Sequence, residues 1–253
     1  MQEDIQKIIF LLIIPVICVL ALAFITKYGL LIYSFPFMLI PILVRVFFDG
    51  RTALFTLLIS VLMCCFFISD KFQFVLLQLL TGISTLFVVA EMRKRQQLIN
   101  AAVISLIIYS VLFILYNLGF GNVELILLKS SYLPFLISTV LILLAYPLIL
   151  LCEKLFGFIS DFKLLELCDL SQPLLRQLSQ DVPGTFQHSL QVANLAEEAI
   201  YYIGGNTLLV RTGALYHDIG KINNPHFFTE NVGNSYSPHL EMQSLESAKI
   251  IIN

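Results

Sequence analysis

Six long apolar runs fill the first part of the chain, at about 8–26, 28–48, 52–69, 72–90, 98–118 and 132–152. The hydrocarbon core of a bilayer is about 30 Å thick, so a spanning helix needs about 20 mostly apolar residues. The pattern therefore predicts six membrane-spanning helices. Buried helices of a large soluble core are the alternative. That reading fails on supply, because too few polar residues remain to solvate so apolar a bundle. Pro15, Pro36, Pro41, Pro134 and Pro147 fall inside the runs. Within a bilayer, neighbouring helices can re-satisfy the carbonyls that a proline frees.

Beyond the sixth run the pattern shortens and becomes amphipathic. Gly157 and Asp161 mark a turn. Leu164, Leu165, Leu167 and Leu170 fit a short amphipathic helix, and Pro173 suits the first turn of another through Leu174, Leu175 and Leu178. Thr185 is placed to cap a helix over about 186–202, on which His188, Val192, Leu195 and Ala199 share one face. Gly204 and Gly205 stop it. Asn206 or Thr207 caps the next helix, which runs to about Ile219, with Gly220 ending it. The whole is predicted all-α: a polytopic bundle over 1–154, a helical connector over 155–180 and a helical domain over 181–253.

Composition sharpens this picture. Of the 253 residues 58% are hydrophobic and 13% charged, against about 45–50% and about 25% in soluble proteins. Mean hydropathy is +0.88. A disordered chain, a collagen, a disulfide scaffold and an ordinary cytosolic enzyme are excluded. A net charge of −2 excludes a strongly basic binder of nucleic-acid polymers. Residues 1–160 carry a net +3 and residues 161–253 a net −5, and all four histidines, His188, His217, His226 and His239, lie in the second part.

Lys and Arg in short loops orient a bundle. With six spans both ends lie on one side. That side would hold Lys7, Arg45, Arg51, Arg93, Lys94, Arg95 and Lys154, against Lys27, Lys71 and Lys129 on the other. Seven against three places both termini in the cytoplasm, with the bundle in the cell's inner, cytoplasmic membrane. The run 92–95 is the strongest marker. Gln2-Glu3-Asp4 lacks the positive leader of a cleaved signal peptide, so the first span reads as retained. Arg45 and Glu91 sit near run ends, where snorkelling is cheap, and no ion pathway is evident. Cys18, Cys64, Cys65, Cys152 and Cys168 form no Cys-x-x-Cys and read as small apolar residues rather than disulfides.

The chemistry lies at Tyr216-His217-Asp218-Ile219-Gly220-Lys221. His217 and Asp218 offer an imidazole nitrogen and a carboxylate. On an α-helix they would diverge by about 100°, so a metal between them needs ligands from other helices. His188 is the natural third ligand. Such a mixed set suits zinc, iron or manganese, and the two oxygens of Asp218 can bridge two ions. Gly213 and Ala214, one turn before His217, leave room for another helix. The pattern His-Asp-x-Gly-Lys arises by chance on the order of once in a thousand chains of this length. A Gly-Thr-x-x-His turn whose histidine stands 29 residues before His217 makes chance a poorer account still.

These residues carry a resemblance. The tail resembles an HD-superfamily metal-dependent phosphohydrolase domain. The whole chain is similar to bacterial seven-transmembrane receptors with an intracellular HD hydrolase domain, the membrane-bound cyclic di-AMP phosphodiesterases. The matching stretches are Leu-Leu-Glu-Leu (164–167), Pro-Gly-Thr-Phe-Gln-His-Ser (183–189), Val-Ala-Asn-Leu-Ala-Glu (192–197), Gly-Ala-Leu-Tyr-His-Asp-Ile-Gly-Lys (213–221) and Phe-Phe-Thr-Glu-Asn (227–231). Asp181 stands where the family often has Glu.

The resemblance implies His188, His217 and Asp218 as metal ligands and Lys221 as the residue that neutralises substrate phosphate, with Asp218 and Lys221 as the catalytic pair. A helix-terminal charge facing the macrodipole is a compatible second role for Lys221. His226 and His239 match no family ligand and read as loop residues. The resemblance also implies two divalent ions, manganese or iron with zinc as the alternative, about 3.5–4 Å apart around an activated water. A cyclic dinucleotide is the implied substrate, the lipid bilayer a partner, and a homodimer is left open. The family carries more sequence on both sides: a span, an external domain and a further helix before, and further histidines and an aspartate after Asn253. The chain is thus expected to be an internal stretch, inactive by itself. Two rival readings remain. One is a degenerate HD signalling module that binds nucleotide without cleaving it; the other is a transporter with a regulatory tail.

Overall fold

The apolar runs fold as helices. The structure, a computed structural model, describes residues 2–89, 96–128, 131–232 and 238–252, and no strand occurs among them. Contacts divide the chain into two compact units, Met1–Ser160 and Asp161–Asn253.

The first unit holds α1 (Gln2–Lys27), α2 (Leu39–Phe47), α3 (Gly50–Cys65), α4 (Lys71–Val88), α5 (Gln96–Gly119), α6 (Val123–Leu127), α7 (Leu133–Leu141) and α8 (Ala145–Phe156). Four stretches are long and apolar enough to cross a membrane: Ile5–Lys27, Lys71–Val88, Gln96–Gly119 and Leu133–Phe156. The other two expected spans are shorter, Ile32–Phe47 and Gly50–Cys65. Sixteen residues rise only about 24 Å even as continuous α-helix, so six full-length spans are not confirmed. The second run breaks because Pro36 has no N–H to give and biases Phe35 away from helix, leaving a 3-10 turn at Ile32–Ser34 before α2. The third is bounded by Asp49, whose carboxylate caps α3 by accepting from Arg51 N–H at 3.2 Å. The sixth run stays continuous, but Pro147 removes the bond that Leu143 carbonyl would accept. The chain tightens there into a 3-10 turn, Ile142–Leu144, between α7 and α8. Gly157 closes α8 at φ 68°, a left-handed cap that suits glycine.

The unit's outer surface is strongly apolar, and several polar side chains are buried among the apolar ones of its interior. Gln78, Thr81 and Thr85 of α4 and Ser105 and Tyr109 of α5 are buried, while Leu12 and Leu20 of α1 are 64% and 65% exposed and Phe87 is 77% exposed. Four of these groups bond in pairs: Thr85 Oγ1 and Ser105 Oγ lie 2.9 Å apart, and Tyr109 Oη donates to Gln78 Oε1. Water would drive the reverse arrangement, whereas hydrocarbon favours it. The chain is a membrane protein. Arg45 sits in the last turn of α2 and donates to Phe48 carbonyl at 3.4 Å, at a run end as expected. Glu91, the basic run 92–95 and Lys129 lie outside the described residues. All five cysteines are free.

The second unit holds α9 (Asp161–Leu167), α10 (Pro173–Asp181), α11 (Pro183–Ile203), α12 (Thr207–Tyr216), α13 (Thr229–Val232) and α14 (Ser244–Ile252). Its core gathers Leu175 and Leu178 of α10, Val182, Ala193 of α11 and Leu215 of α12, with Phe186, Leu190 and Ile222 packed against them. Leu164 joins the buried set, while Leu170 and Leu174 are exposed. Tyr216 Oη donates to Leu167 carbonyl at 2.9 Å, tying α12 to α9.

Candidate metal centre

The site is assembled on two antiparallel neighbours in sequence, α11 and α12. Helix α11 begins earlier than the pattern predicts. Pro183 occupies its first turn, and Val182, which has no capping side chain, stands at the cap position. Thr185 is therefore not the cap but a buried first-turn residue. His188, Val192, Leu195 and Ala199 share a face of α11 as expected, and that face is the solvent side of the helix. Thr185, Ser189 and Ala193 form the buried stripe, and His188, Leu195 and Ala199 lie on the exposed side. His188 is thus presented outward, free to share a ligand with a group on a neighbouring turn.

Helix α12 starts as expected, with Asn206 Oδ1 accepting from Leu209 N–H at 3.0 Å. It ends at Tyr216, three residues short of the expectation, and a 3-10 turn runs through Gly220 to Asn223. Gly220 is therefore not the terminator. A Cβ on Gly213 would meet nothing within 4 Å, so among the described residues no helix exploits its smallness. The early exit matters for chemistry. His217 and Asp218 stand at the junction of two helix types, and their side chains converge instead of diverging. His217 Nε2 lies 3.3 Å from Asp218 Oδ2.

The ring of His217 is fixed from behind. Its Nδ1 lies 2.8 Å from Ala214 carbonyl, which only accepts, so Nδ1 is assigned the proton. Nε2 of the neutral ring then carries a lone pair toward the Asp218 carboxylate. In that tautomer both atoms are acceptors, a pair that a metal ion can bridge. The His188 ring lies 5.7 Å from that of His217, centre to centre. One ligand atom from each of His188, His217 and Asp218 lies within 4.8 Å of the others. Donors at about 2.0–2.2 Å from one ion stand up to about 4.4 Å apart, so a closing movement of a few tenths of an ångström seats all three. In donor type, tautomer and spacing the residues fit a divalent metal.

Lys221 lies beside this set. Its Nζ is 2.8 Å from Asp218 Oδ2 and 2.6 Å from Glu230 Oε1, with the Phe228 ring 4.8 Å away. Burial alone would pull the ammonium down. The hydrogen bonds to Asp218 and Glu230 outweigh it and hold Lys221 above its ordinary value. Burial likewise pushes the Glu230 carboxyl up, and the bond from Lys221 overrides that, leaving it below the usual carboxylate value. A cleft of about 700 Å³ opens against His217, Asp218 and Lys221, walled by Asn224, Phe228 and His239.

Several of these residues were not legible in the sequence. Thr185 N–H donates to Asn231 Oδ1 at 2.9 Å, Asn231 Nδ2 donates to Thr185 Oγ1 at 2.8 Å, and that hydroxyl donates to Glu230 Oε1 at 3.2 Å. The stretches 183–189 and 227–231 were both among those that carry the family resemblance, but nothing in them gave Glu230 or Asn231 a role or paired them with Thr185. His239 is no loose loop residue. Its Nε2 lies 3.0 Å from Phe227 carbonyl and its Nδ1 2.7 Å from Ser247 Oγ, which ties α14 to the turn at Pro225–Phe227. His226 is exposed in that turn.

Comparison with known proteins agrees with this architecture. Residues 1–160 match the sequence profile of a family described as 7TM receptor with intracellular HD hydrolase, and residues 185–251 match the HD domain profile. The chain is 34% identical over 180 residues to the cyclic-di-AMP phosphodiesterase PgpH of Bacillus subtilis, covering 69% of this chain and 25% of the relative. To PgpH of Listeria monocytogenes it is 30% identical over 226 residues, 87% of this chain and 31% of the relative. It thus spans a quarter to a third of the length of these relatives. A crystal structure of the L. monocytogenes PgpH HD domain in complex with cyclic-di-AMP is 45% identical, covers 32% of this chain and 38% of that one, and has a TM-score of 0.32.

Proposed function

Because the chain belongs to the family of seven-transmembrane receptors with an intracellular HD hydrolase, we propose that it is part of a membrane-anchored, metal-dependent phosphodiesterase acting on cyclic di-AMP. An HD domain implies dependence on a divalent metal. The observation that carries the reading is the convergence of His188, His217 and Asp218 within 4.8 Å, in a segment that matches that domain. The substrate class is supported by the two PgpH relatives.

In this reading residues 1–154 anchor the protein, 155–180 connect, and 181–253 carry the hydrolase chemistry in the cytoplasm. The division of contacts after Ser160 supports the first boundary to within a few residues. Seven basic residues against three support a cytoplasmic N-terminus and tail at the inner membrane.

His188, His217 and Asp218 hold the metal, manganese or iron by preference. Bound divalent ions supply Lewis-acid polarisation of a phosphoryl oxygen and a water of lowered pKa. The chain's own residues do the rest. The Ala214 carbonyl holds the His217 tautomer, so that Nε2 is presented unprotonated. Lys221 offers an ammonium to the charge that grows on the phosphoryl oxygens in the transition state. The cleft of about 700 Å³ lies in the range that encloses a small ligand, and its Phe228 wall offers an aromatic face to a base.

The test is hydrolysis of cyclic di-AMP by membranes bearing this chain and any longer product of its reading frame, with added manganese. Cleavage abolished by Asp218→Ala and by a chelator is expected. Cleavage that survives both would sink the proposal, and tight binding without cleavage would favour the degenerate signalling module.

A further inference from the structure

Lys221 contacts the same carboxylate oxygen of Asp218 that faces His217 Nε2. An ammonium on a ligand oxygen competes with a metal ion for it, and its charge repels the ion. Lys221 also has a second partner. Glu230 Oε1 lies closer, at 2.6 Å, than Asp218 Oδ2 at 2.8 Å. Glu230 lies at the solvent edge, its side chain 30% exposed, and is also held from within the protein. It accepts from Thr185 Oγ1, and Thr185 is fully buried in the first turn of α11, where Asn231 binds both its N–H and its hydroxyl. A Cβ on Gly184 would stand 1.8 Å from Glu230 carbonyl oxygen, so the bare glycine is what lets α13 approach this turn. The carboxylate is therefore anchored to the helix that carries His188.

Resting on the metal-site reading above, we propose that Glu230 is a positioning residue: the fixed counter-ion that holds Lys221 when Asp218 turns to the metal. With Glu230 in place, Asp218 can give up the ammonium without stranding it. Lys221 then stays at the cleft wall, between Glu230 and the Phe228 ring, where a phosphoryl oxygen would meet it. Without the Glu230 charge, Asp218 is the one carboxylate left to Lys221 of the two it now contacts, and the ammonium stays on it and opposes the ion. The effect of Glu230 thus runs through Lys221, which separates it from a merely structural clamp on Thr185.

The test is a double-mutant cycle read by manganese affinity, followed by electron paramagnetic resonance on the 253-residue chain in nanodiscs. Glu230→Gln preserves the shape and the hydrogen bond from Thr185, so it removes the charge without unseating α13. It should weaken manganese binding by about tenfold, the order seen when an outer partner of a ligand is lost. In a Lys221→Met background the same change should leave affinity within about twofold. Asp218→Asn should remove binding in every background. An unchanged affinity in Glu230→Gln overturns the proposal. So does an equal loss with Lys221→Met, which would assign Glu230 a structural role alone. Manganese binding that is absent in the wild type, or insensitive to Asp218→Asn, overturns the metal-site reading and this inference with it.

Discussion

Thr185 and Asn231 exchange two hydrogen bonds across 46 positions of sequence, backbone N–H to Oδ1 at 2.9 Å and Nδ2 to Oγ1 at 2.8 Å. The first N–H groups of a helix have no partner within it, and Val182 supplies none to α11. Asn231 does the work of a cap from outside the helix. Asn231→Ala should therefore cost about 0.5–2 kcal/mol, the usual range for a lost cap. The check is hydrogen exchange. The Thr185 amide should lose protection in the variant, while the amides of α12 keep theirs. Equal protection at Thr185 would show that the cap contributes nothing.

Gly184 makes a sharper case, because the obstacle there is backbone. A methyl group would fall 1.8 Å from Glu230 carbonyl oxygen and 2.6 Å from its carbon. Neither can rotate away, so α13 must move. Gly184→Ala should destabilise the second unit by about 1–3 kcal/mol. Gly213→Ala is the control, since its Cβ meets nothing; inside α12 it should be stabilising by about 1 kcal/mol or less. Thermal melts of the two variants should move in opposite directions. A Gly184→Ala melt at or above the wild type would contradict the contact.

How much of this could be read from the residues alone depended on whether the signal was local. Asn206, Pro173, Gly157 and Gly204 act on their own neighbours, and each helix end they mark lies where the pattern put it. The convergence of His188 on His217 and Asp218 was legible because two adjacent helices and a shared motif specify it. The short second and third spans were not, since mean apolarity does not register Pro36 or Asp49 as boundaries until length is counted. The predicted Thr185 cap failed because Pro183 can start a helix one turn earlier. The clamp through Glu230 and Asn231 is a contact at long sequence separation: the stretch 227–231 carries the family resemblance, but its local pattern does not say which residues it meets.

The distribution of Lys and Arg leads to a topology test. Reporter fusions at Lys7 and after Lys163 should both read cytoplasmic, since short loops rich in basic residues are retained on that side. Two spans shorter than a bilayer do not alter the expectation so long as they enter and leave as a pair. An external signal at one fusion and a cytoplasmic signal at the other would require an odd number of crossings and overturn the shared-side arrangement.

Acid should loosen the clamp at Glu230. Its carboxyl is held below the ordinary 4.5: burial opposes this, and the Lys221 bond more than compensates. A carboxylate with a depressed folded value contributes stability that is present above the unfolded value and is lost as pH falls through the folded one. The Lys221 partner is raised above 10.5, so its own contribution persists until pH rises past that raised value. The pair is therefore intact across neutral pH and fails only below 4.5 on the acid side. Carbon-13 spectra of labelled Glu should place the Glu230 midpoint below 4.5, and Lys221→Met should move it upward. A midpoint unmoved by Lys221→Met would mean that another group sets it.

The tautomer of His217 allows a direct spectroscopic test of the metal centre. Ala214 carbonyl can only accept, and it lies 2.8 Å from Nδ1, so the neutral ring must carry its proton there. Nε2 is then the free donor atom, 3.3 Å from Asp218 Oδ2. Nitrogen-15 spectra of the chelated protein, with His217 neutral, should show a protonated Nδ1 and a bare Nε2. Zinc, which is diamagnetic, should shift Nε2 strongly and leave Nδ1 protonated, because the backbone bond persists in the bound form. His188 should respond to the same addition, and His239 should not, since both its ring nitrogens already face Phe227 carbonyl and Ser247 Oγ. A proton on Nε2 in the neutral ring, or a zinc-induced shift at Nδ1 instead, would place the metal on the wrong side of the imidazole and dissolve the site.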